Sequence, residues 1–231
     1  MKYFGLILKD KMVKTTPQIE VDSSFPYNFR QSYSIWNLRS GKKAHADFKL
    51  PRFILKKSCK LTDILDAVCI KKSFSMLCSK AFLETLNKFK TSEFQCFSTI
   101  VSEKDLAHEY FFLHFYEDYD SYIDFENSDF FIPPPSIKAN HPEEDYKPIS
   151  IRSSDEYVRQ KEEFISIGVK KLKLKHDIEL DLFRVNIGKI NFFISERLKN
   201  ALLRAGQTGF SFYDSSIGNN IFIMDGRIHT T

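Results

Sequence analysis

Two stretches of the chain share one alternation of apolar and polar positions. In Ile190–Tyr213 an apolar run to Ile194 predicts a buried strand, and Ser195 follows as a helix N-cap. Its hydroxyl can accept from a backbone N–H that the first helical turn leaves unpaired. Leu198, Ala201, Leu202 and Ala205 then recur at intervals of three and four, one apolar helix face. Gly206 is placed to stop that helix, and Phe210 and Phe212 alternate as a second strand. Met76–Phe97 has the same grammar. Laid without gaps against Phe192–Tyr213, it puts Ser79 on Ser195, Phe82 on Leu198, Leu86 on Leu202, Phe94 on Phe210 and Cys96 on Phe212. An acidic and apolar patch precedes each copy, Leu61–Val68 and Asp177–Val185. Similarity at this long spacing suggests duplication of one strand–helix–strand unit; the alternative is that any two such units look alike at this level. The first copy carries Lys90 and Glu93 where the second has Gly206 and Gly209, so the two turns are not expected to match.

Elsewhere Tyr3–Leu8 predicts a strand and Lys11–Gln31, broken by Pro17 and Pro26, a loop. Tyr33–Leu38 predicts a short strand holding Trp36, and Ser40–Lys43 a turn. A turn is expected around Ser102–Asp105. His108–Tyr116 is rich in residues that suit a pleated surface, with Tyr119–Phe125 and Phe130–Ile132 continuing as a hairpin. Pro133–Pro135, Pro142 and Pro148 keep the next stretch irregular. Ser153 and Glu156 have capping-box spacing and open a helix running to about Ile165, with Gly168 ending it. Val169–Lys175 predicts a half-exposed strand with a basic outer face, and Ile221–Met224 a last strand before a turn at Asp225-Gly226. The fold class that follows is α+β, with mixed or antiparallel sheets and a few helices. One domain is expected over residues 1–231. Its half-units, about 1–132 and 149–231, are joined by the proline-rich acidic loop 133–148.

Composition adjusts this picture in a few places. The 23 phenylalanines among 231 residues are ample for a core, while the net charge of +4 is too mild to imply nucleic acid by itself. Basic residues do gather between Lys42 and Lys60: Lys42, Lys43, Lys49, Arg52, Lys56, Lys57 and Lys60, interleaved with Phe48, Leu50, Phe53, Ile54 and Leu55. Such a run can track a phosphate backbone; the competing reading, which we favour, is a solvated segment whose apolar residues face the core. Cys59, Cys69, Cys78 and Cys96 include no CxxC pair. Cys78 and Cys96 are expected as buried thiols, in keeping with a reducing compartment. The apolar run after Met1-Lys2 is too short for a signal sequence, and nothing approaches a membrane span. The expected location is the cytoplasm.

Candidate chemistry is sparse. His108 and His114 share a strand face but lie roughly 20 Å apart along it, too far to hold one ion, and both are expected on the outer face. No GxSxG elbow or phosphate-binding glycine loop is present. No catalytic, cofactor or metal-binding residue is therefore assigned. Carboxylates are concentrated at Glu109, Glu117, Asp118, Asp120, Asp124, Glu126 and Asp129, with no Lys or Arg between the first and the last. Three readings remain: a solvated face, an acidic surface for a basic partner, and a glycosidase-like carboxylate pair. The candidate partner surface is Tyr116, Glu117, Asp118, Tyr119, Asp120, Tyr122, Asp124 and Glu126, because tyrosines among clustered charge suit an interface. Charge reversal at Asp118, Asp120 and Asp124 together is expected to slow association.

The phrase FFISERLKNALLRAGQTGFSFY resembles the C-terminal signature of a bacterial immunity-protein family that accompanies polymorphic toxins and type VI secretion effectors. Asp181, Leu182, Phe183, Ser195, Glu196, Arg197, Leu198, Leu202, Gly206, Gly209, Phe210 and Phe212 match its pattern. Met76–Ser79, Phe94–Phe97, Tyr110–Phe115 and Asp124–Asp129 are similar to its central part. The likeness covers most of the chain from about residue 60. It implies a cytoplasmic protein, not an enzyme, that binds a cognate toxin and blocks it stoichiometrically. Two alternatives stay open: a hydrolase with an unrecognised carboxylate or Cys–His site, and a nucleic-acid-binding module using Lys42–Lys60.

Overall fold

The computed structural model describes residues 2–7, 18–65, 74–132, 147–164, 167–176, 178–187, 191–213 and 221–223. In chain order the strands and helices are β1 (Tyr3–Ile7), β2 (Ile19–Val21), β3 (Phe53–Leu55), β4 (Ile64–Leu65), β5 (Ser75–Ser79), α1 (Lys80–Leu86), β6 (Phe94–Glu103), β7 (Leu106–Phe115), β8 (Asp129–Ile132), β9 (Lys147–Ile149), α2 (Ser154–Glu163), β10 (Gly168–Lys173), β11 (Leu182–Arg184), β12 (Phe192–Ser195), α3 (Glu196–Arg204), β13 (Ser211–Tyr213) and β14 (Ile221–Ile223). They form a six-stranded sheet ordered β2-β3-β6-β7-β5-β4 and two four-stranded sheets, β11-β12-β1-β13 and β14-β10-β8-β9. The first sheet is mixed, since β3 runs parallel to β6; the other two are antiparallel. The fold is α+β, as the sequence pattern predicts.

The repeated sequence is a repeated structure. In the first unit β5 lies between β4 and β7, and β6 pairs with β7. In the second, β12 lies between β11 and β1, and β13 pairs with β1. Ser79 stands opposite Tyr110, and Ser195 opposite Tyr3. Cys96 stands opposite Leu113, and Phe212 opposite Leu6. The ungapped alignment therefore holds at both strands. Between them the units differ: α3 has 9 residues and α1 only 7, and the connection after α1, residues 87–93, is longer than that after α3, residues 205–210. The unlike turns follow from this. Gly206 takes a left-handed φ of 66° after α3, whereas residues 87–93, the connection after α1, have no positive φ. The second unit draws β1 from the opposite end of the chain, so the two units interleave along the sequence.

Strand alternation sends successive side chains to opposite faces. Met76 and Cys78 of β5, Leu113 and Phe115 of β7, Phe4 and Leu6 of β1, and Phe192 and Ile194 of β12 all enter one core. Phe82 and Leu86 of α1 join it, with Leu198 and Leu202 of α3. Phe115 meets Phe192 edge-on across it, with ring centroids 5.1 Å apart. The half-units thus share a core. The opposite faces make two more: Leu77, Tyr110 and Phe112 pack with Ile19, Ile35, Phe48 and Phe53, and Tyr3, Phe183 and Phe193 pack with Phe130, Tyr157, Val169 and Leu172.

One polar device recurs at the junction of strand and helix. Ser195 Oγ accepts from Leu198 N–H at 3.2 Å and donates to Asp181 at 2.5 Å. Ser79 Oγ accepts from Phe82 N–H at 3.2 Å and donates to Asp63 at 2.7 Å. Each aspartate then reaches the other unit. Asp181 accepts from Lys90 N–H at 3.0 Å, after α1, and Asp63 accepts from Thr208 N–H at 2.8 Å, after α3. Asp181 is fully buried and also holds the Arg197 guanidinium through two bonds. Burial pushes its carboxyl up, but Arg197, Ser195 and the Lys90 N–H together hold it below the ordinary carboxylate range.

Several expectations are corrected. Tyr33–Leu38 is not a strand: Ile35–Asn37 is one turn of 3-10 helix, with Ile35 buried and Trp36 54% exposed. Tyr119–Phe125 is no hairpin strand, since Asp120–Tyr122 forms another 3-10 turn, and β8 joins a different sheet. Gly168 does not stop a helix; it begins β10, where a Cβ would lie 2.1 Å from the Phe131 ring. The α2 cap is as expected, with Ser153 Oγ accepting from Glu156 N–H at 3.1 Å. Cys78 is buried but Cys96 is exposed. Cys69, residues 133–146 of the proline-rich loop and the Asp225-Gly226 turn lie outside the described residues.

Gly209 has φ 92°, and a Cβ there would come within 2.1 Å of the Ile64 carbonyl oxygen. Gly209→Ala is expected to cost about 3 kcal/mol in urea unfolding, from strain and backbone overlap combined. Gly206→Ala, in open space, should cost only about 1 kcal/mol. Because the Asp181 pKa is lower folded than unfolded, its stabilisation is complete above the ordinary carboxylate pKa and fades as pH falls through the folded value. Asp181→Asn should cost about 2 kcal/mol near neutral pH, with the difference shrinking in acid. An equal difference at both pH values would rule out the charge as its source.

Candidate functional site

The acidic, tyrosine-bearing segment forms a strap between β7 and β8, and most of its polar groups are engaged by the fold. Tyr119 N–H donates to the Arg184 carbonyl at 2.9 Å, and its ring packs edge-on against Phe183 and 5.3 Å from Tyr122. Tyr122 stacks 4.7 Å from His176 and accepts from Lys175 N–H at 2.8 Å. Both rings lean on the core beneath the second sheet. Tyr116 Oη donates to Glu93, a bond that pushes the phenol up to about 12.

The three central aspartates are tied inward. Asp118 meets Arg184 at 3.1 Å. Asp120 accepts from Asn186 N–H at 2.6 Å. Asp124 accepts from the Asn127 side chain at 3.0 Å, lies 3.6 Å from Lys173 Nζ, and shapes the turn before β8. Burial, reinforced by Asp118, pushes Asp120 up to about 6 against the pull of the Asn186 N–H. Reversing these three charges would disturb the fold as well as any surface. The exposed acids of the strap are Glu117, Asp118 and Glu126, and of these Glu117 and Glu126 have no carboxylate bond within the described residues.

Arg184 is the residue on which the strap depends, and it was not singled out from the sequence. It is fully buried on β11. Its Nε donates to the Glu117 carbonyl at 3.3 Å, and one terminal nitrogen donates to Ser40 Oγ at 2.5 Å as well as to Asp118. Burial lowers its pKa, and Asp118 and Asp120 oppose that shift. The signal available in the sequence is a lone cation inside the apolar run Leu182-Phe183-Arg184-Val185, which period-two alternation alone does not place in solvent.

The other candidates are dispersed. His114 is not on an outer face: it is fully buried, with Nε2 2.8 Å from the Lys42 carbonyl and its ring edge-on to Phe74. Burial lowers its pKa, and Nε2–H is the donor because the carbonyl oxygen can only accept. His108 lies 3.6 Å from Glu103 on the β6–β7 hairpin. Burial pushes the Cys78 thiol well up, the condition of an unreactive thiol. Among the described residues no group of three or more His, Cys, Asp or Glu is arranged to hold a metal, and no helix is long and apolar enough to cross a membrane. In the basic run, Phe48, Phe53 and Leu55 are buried while Lys42, Lys43, Lys49 and Arg52 are exposed.

Asp118→Asn leaves Arg184 with a weaker partner and is expected to cost about 2 kcal/mol of stability, less than a fully enclosed pair because Asp118 is partly exposed. Glu117→Gln and Glu126→Gln should each stay within about 0.5 kcal/mol. Chemical denaturation of the three variants checks both statements. Compared with known families and with curated proteins, the chain matches no family model and no curated sequence.

Proposed function

We propose that this protein is an immunity protein, which neutralises a cognate toxin in the cytoplasm by stoichiometric binding. The observation that carries the reading is where the family-like residues sit. Asp181, Ser195, Arg197, Leu198, Leu202 and Gly209 are scattered over nearly 30 positions of sequence yet belong to one connected framework of buried bonds and shared core. The resemblance therefore rests on residues that define an architecture, and the step from that architecture to a binding role is one of analogy.

The strap supplies the first contact surface to test. Arg184 and the core hold its backbone, so Tyr116, Glu117, Asp118 and Glu126 are presented by a fixed segment, and a preorganised surface spends less entropy on binding. Clustered negative charge there suits a toxin with a cationic cleft and accelerates encounter. A hydrolytic reading has less support, because Asp118, Asp120 and Asp124 already serve as ligands of the fold.

The decisive experiment is co-expression of the toxin domain encoded beside this gene, with and without this protein, in a sensitive bacterium. Rescue with an isolable one-to-one complex is expected; neither rescue nor complex would end the reading. Given a complex, Glu117→Lys with Glu126→Lys should slow association about tenfold at low salt while leaving stability unchanged. Unaltered association kinetics would move the contact surface elsewhere.

A further inference from the structure

The loop that follows the first 3-10 turn is built with more care than a solvated connection requires. Three side chains from two different sheets pin it. Fully buried His114 donates to the Lys42 carbonyl at 2.8 Å, fully buried Arg184 donates to Ser40 Oγ at 2.5 Å, and Gln95 accepts from Ala44 N–H at 2.6 Å. Holding an imidazole and a guanidinium in the interior is costly, and here both are used to fix residues 40–44. Beside that loop lies a concavity of about 250 Å³, lined by Ser32, Asn37, Arg39, Lys42, Lys43 and His45 over an apolar floor that includes Phe48.

The lining contains no carboxylate, and its three charged groups, Arg39, Lys42 and Lys43, are all hydrogen-bond donors. Arg39 is steadied by donating one terminal nitrogen to the Trp36 and Leu38 carbonyls at 2.9 and 3.0 Å. That leaves the rest of its fork without a protein partner among the described residues. Lys43 rests over the Tyr116 ring, 5.0 Å from its centre, and neither Lys42 nor Lys43 pairs with an acid among the described residues. His45 Nδ1 accepts from Asp47 N–H at 3.1 Å and lies 3.6 Å from the Asp47 carboxylate, which stands outside the lining. Three permanent cations gathered around one hollow repel each other. An anion in the hollow relieves that repulsion and meets a guanidinium fork and ammonium groups suited to a tetrahedral oxyanion.

We propose that this concavity is a binding site for a phosphate group, carried as the free ion or as the monoester of a small molecule. The site is independent of the toxin-binding reading. The volume accommodates a phosphate with part of its ester substituent and excludes a folded macromolecule. Specificity for phosphate over chloride comes from multiple directed donors, where charge alone would not discriminate.

The protein carries its own reporter, since the carbonyl of its single tryptophan, Trp36, accepts from the Arg39 guanidinium that lines the hollow. The test titrates the full chain with inorganic phosphate, with a nucleoside monophosphate and with chloride at matched ionic strength, following Trp36 fluorescence and the melting temperature. A saturable response to phosphate or the monoester, absent with chloride, is expected. K42Q/K43Q should weaken it about tenfold, as the loss of charge-assisted bonds requires, whereas K56Q/K57Q, which removes equal charge outside the hollow, should leave it unchanged. Which of the two phosphate ligands binds more tightly identifies the source of the group. Flat fluorescence with no phosphate-dependent rise in melting temperature overturns the proposal, as does an equal loss in both double variants. A response to a single-stranded oligonucleotide but to neither small phosphate also overturns it, and assigns the basic face to nucleic acid instead.

Discussion

A carboxylate set beneath a helix N-terminus holds this molecule together. Asp181 receives Ser195, Arg197 and the Lys90 N–H at once, and Ser195 in turn caps α3. One buried charge therefore fixes a strand end, a helix start and the segment that leaves the other helix. The helix dipole and four donors offset the cost of removing that charge from water. Asp63 repeats the device with Thr208 in place of the arginine. Each unit thereby closes its partner's helix exit, and the shared core is locked by polar groups at both of its ends.

The same logic runs through the strap, where Asp118, Asp120 and Asp124 are spent on holding the fold. Arg184, charged and enclosed, needs Asp118 nearby, and its remaining bonds run to the Glu117 carbonyl and to Ser40. The acidic strap and the basic loop are thus two arms of one buried guanidinium. Negative and positive surfaces meet around it, where Lys43 sits on the ring of Tyr116. A mutation at Arg184 would release both.

Much of the fold was legible because it is written in local patterns. Ser79, Ser153 and Ser195 each announced a helix start that the structure contains, and the apolar alternation of His108–Tyr116 became β7. The duplicated unit was visible because its strands and caps keep equal spacing even though the helix lengths differ. What was missed depends on distant partners. Trp36 has a strand-like neighbourhood, but Tyr27 Oη and the Gln31 carbonyl draw the chain into a tight turn. His114 looks like a surface polar residue until Lys42 supplies its bond, and nothing near Arg184 in sequence names Ser40 or Asp118. The strap's tyrosines could be read as interface anchors from composition, while their support by Phe183 and His176 could not.

The placement of β1 has a consequence for synthesis. Tyr3–Ile7 is made well before its neighbours, Phe192–Ser195 and Ser211–Tyr213. A nascent chain must carry an apolar strand, with Phe4 and Leu6 destined for the shared core, until Phe192–Tyr213 has emerged. Such long-range pairing makes folding slow, and an unpaired apolar strand in the interval is an opening for aggregation. Assembly of the second sheet is thereby deferred until β12 and β13 have emerged, and the first sheet, built from the consecutive strands β2 to β7, is available as the template on which the later one condenses.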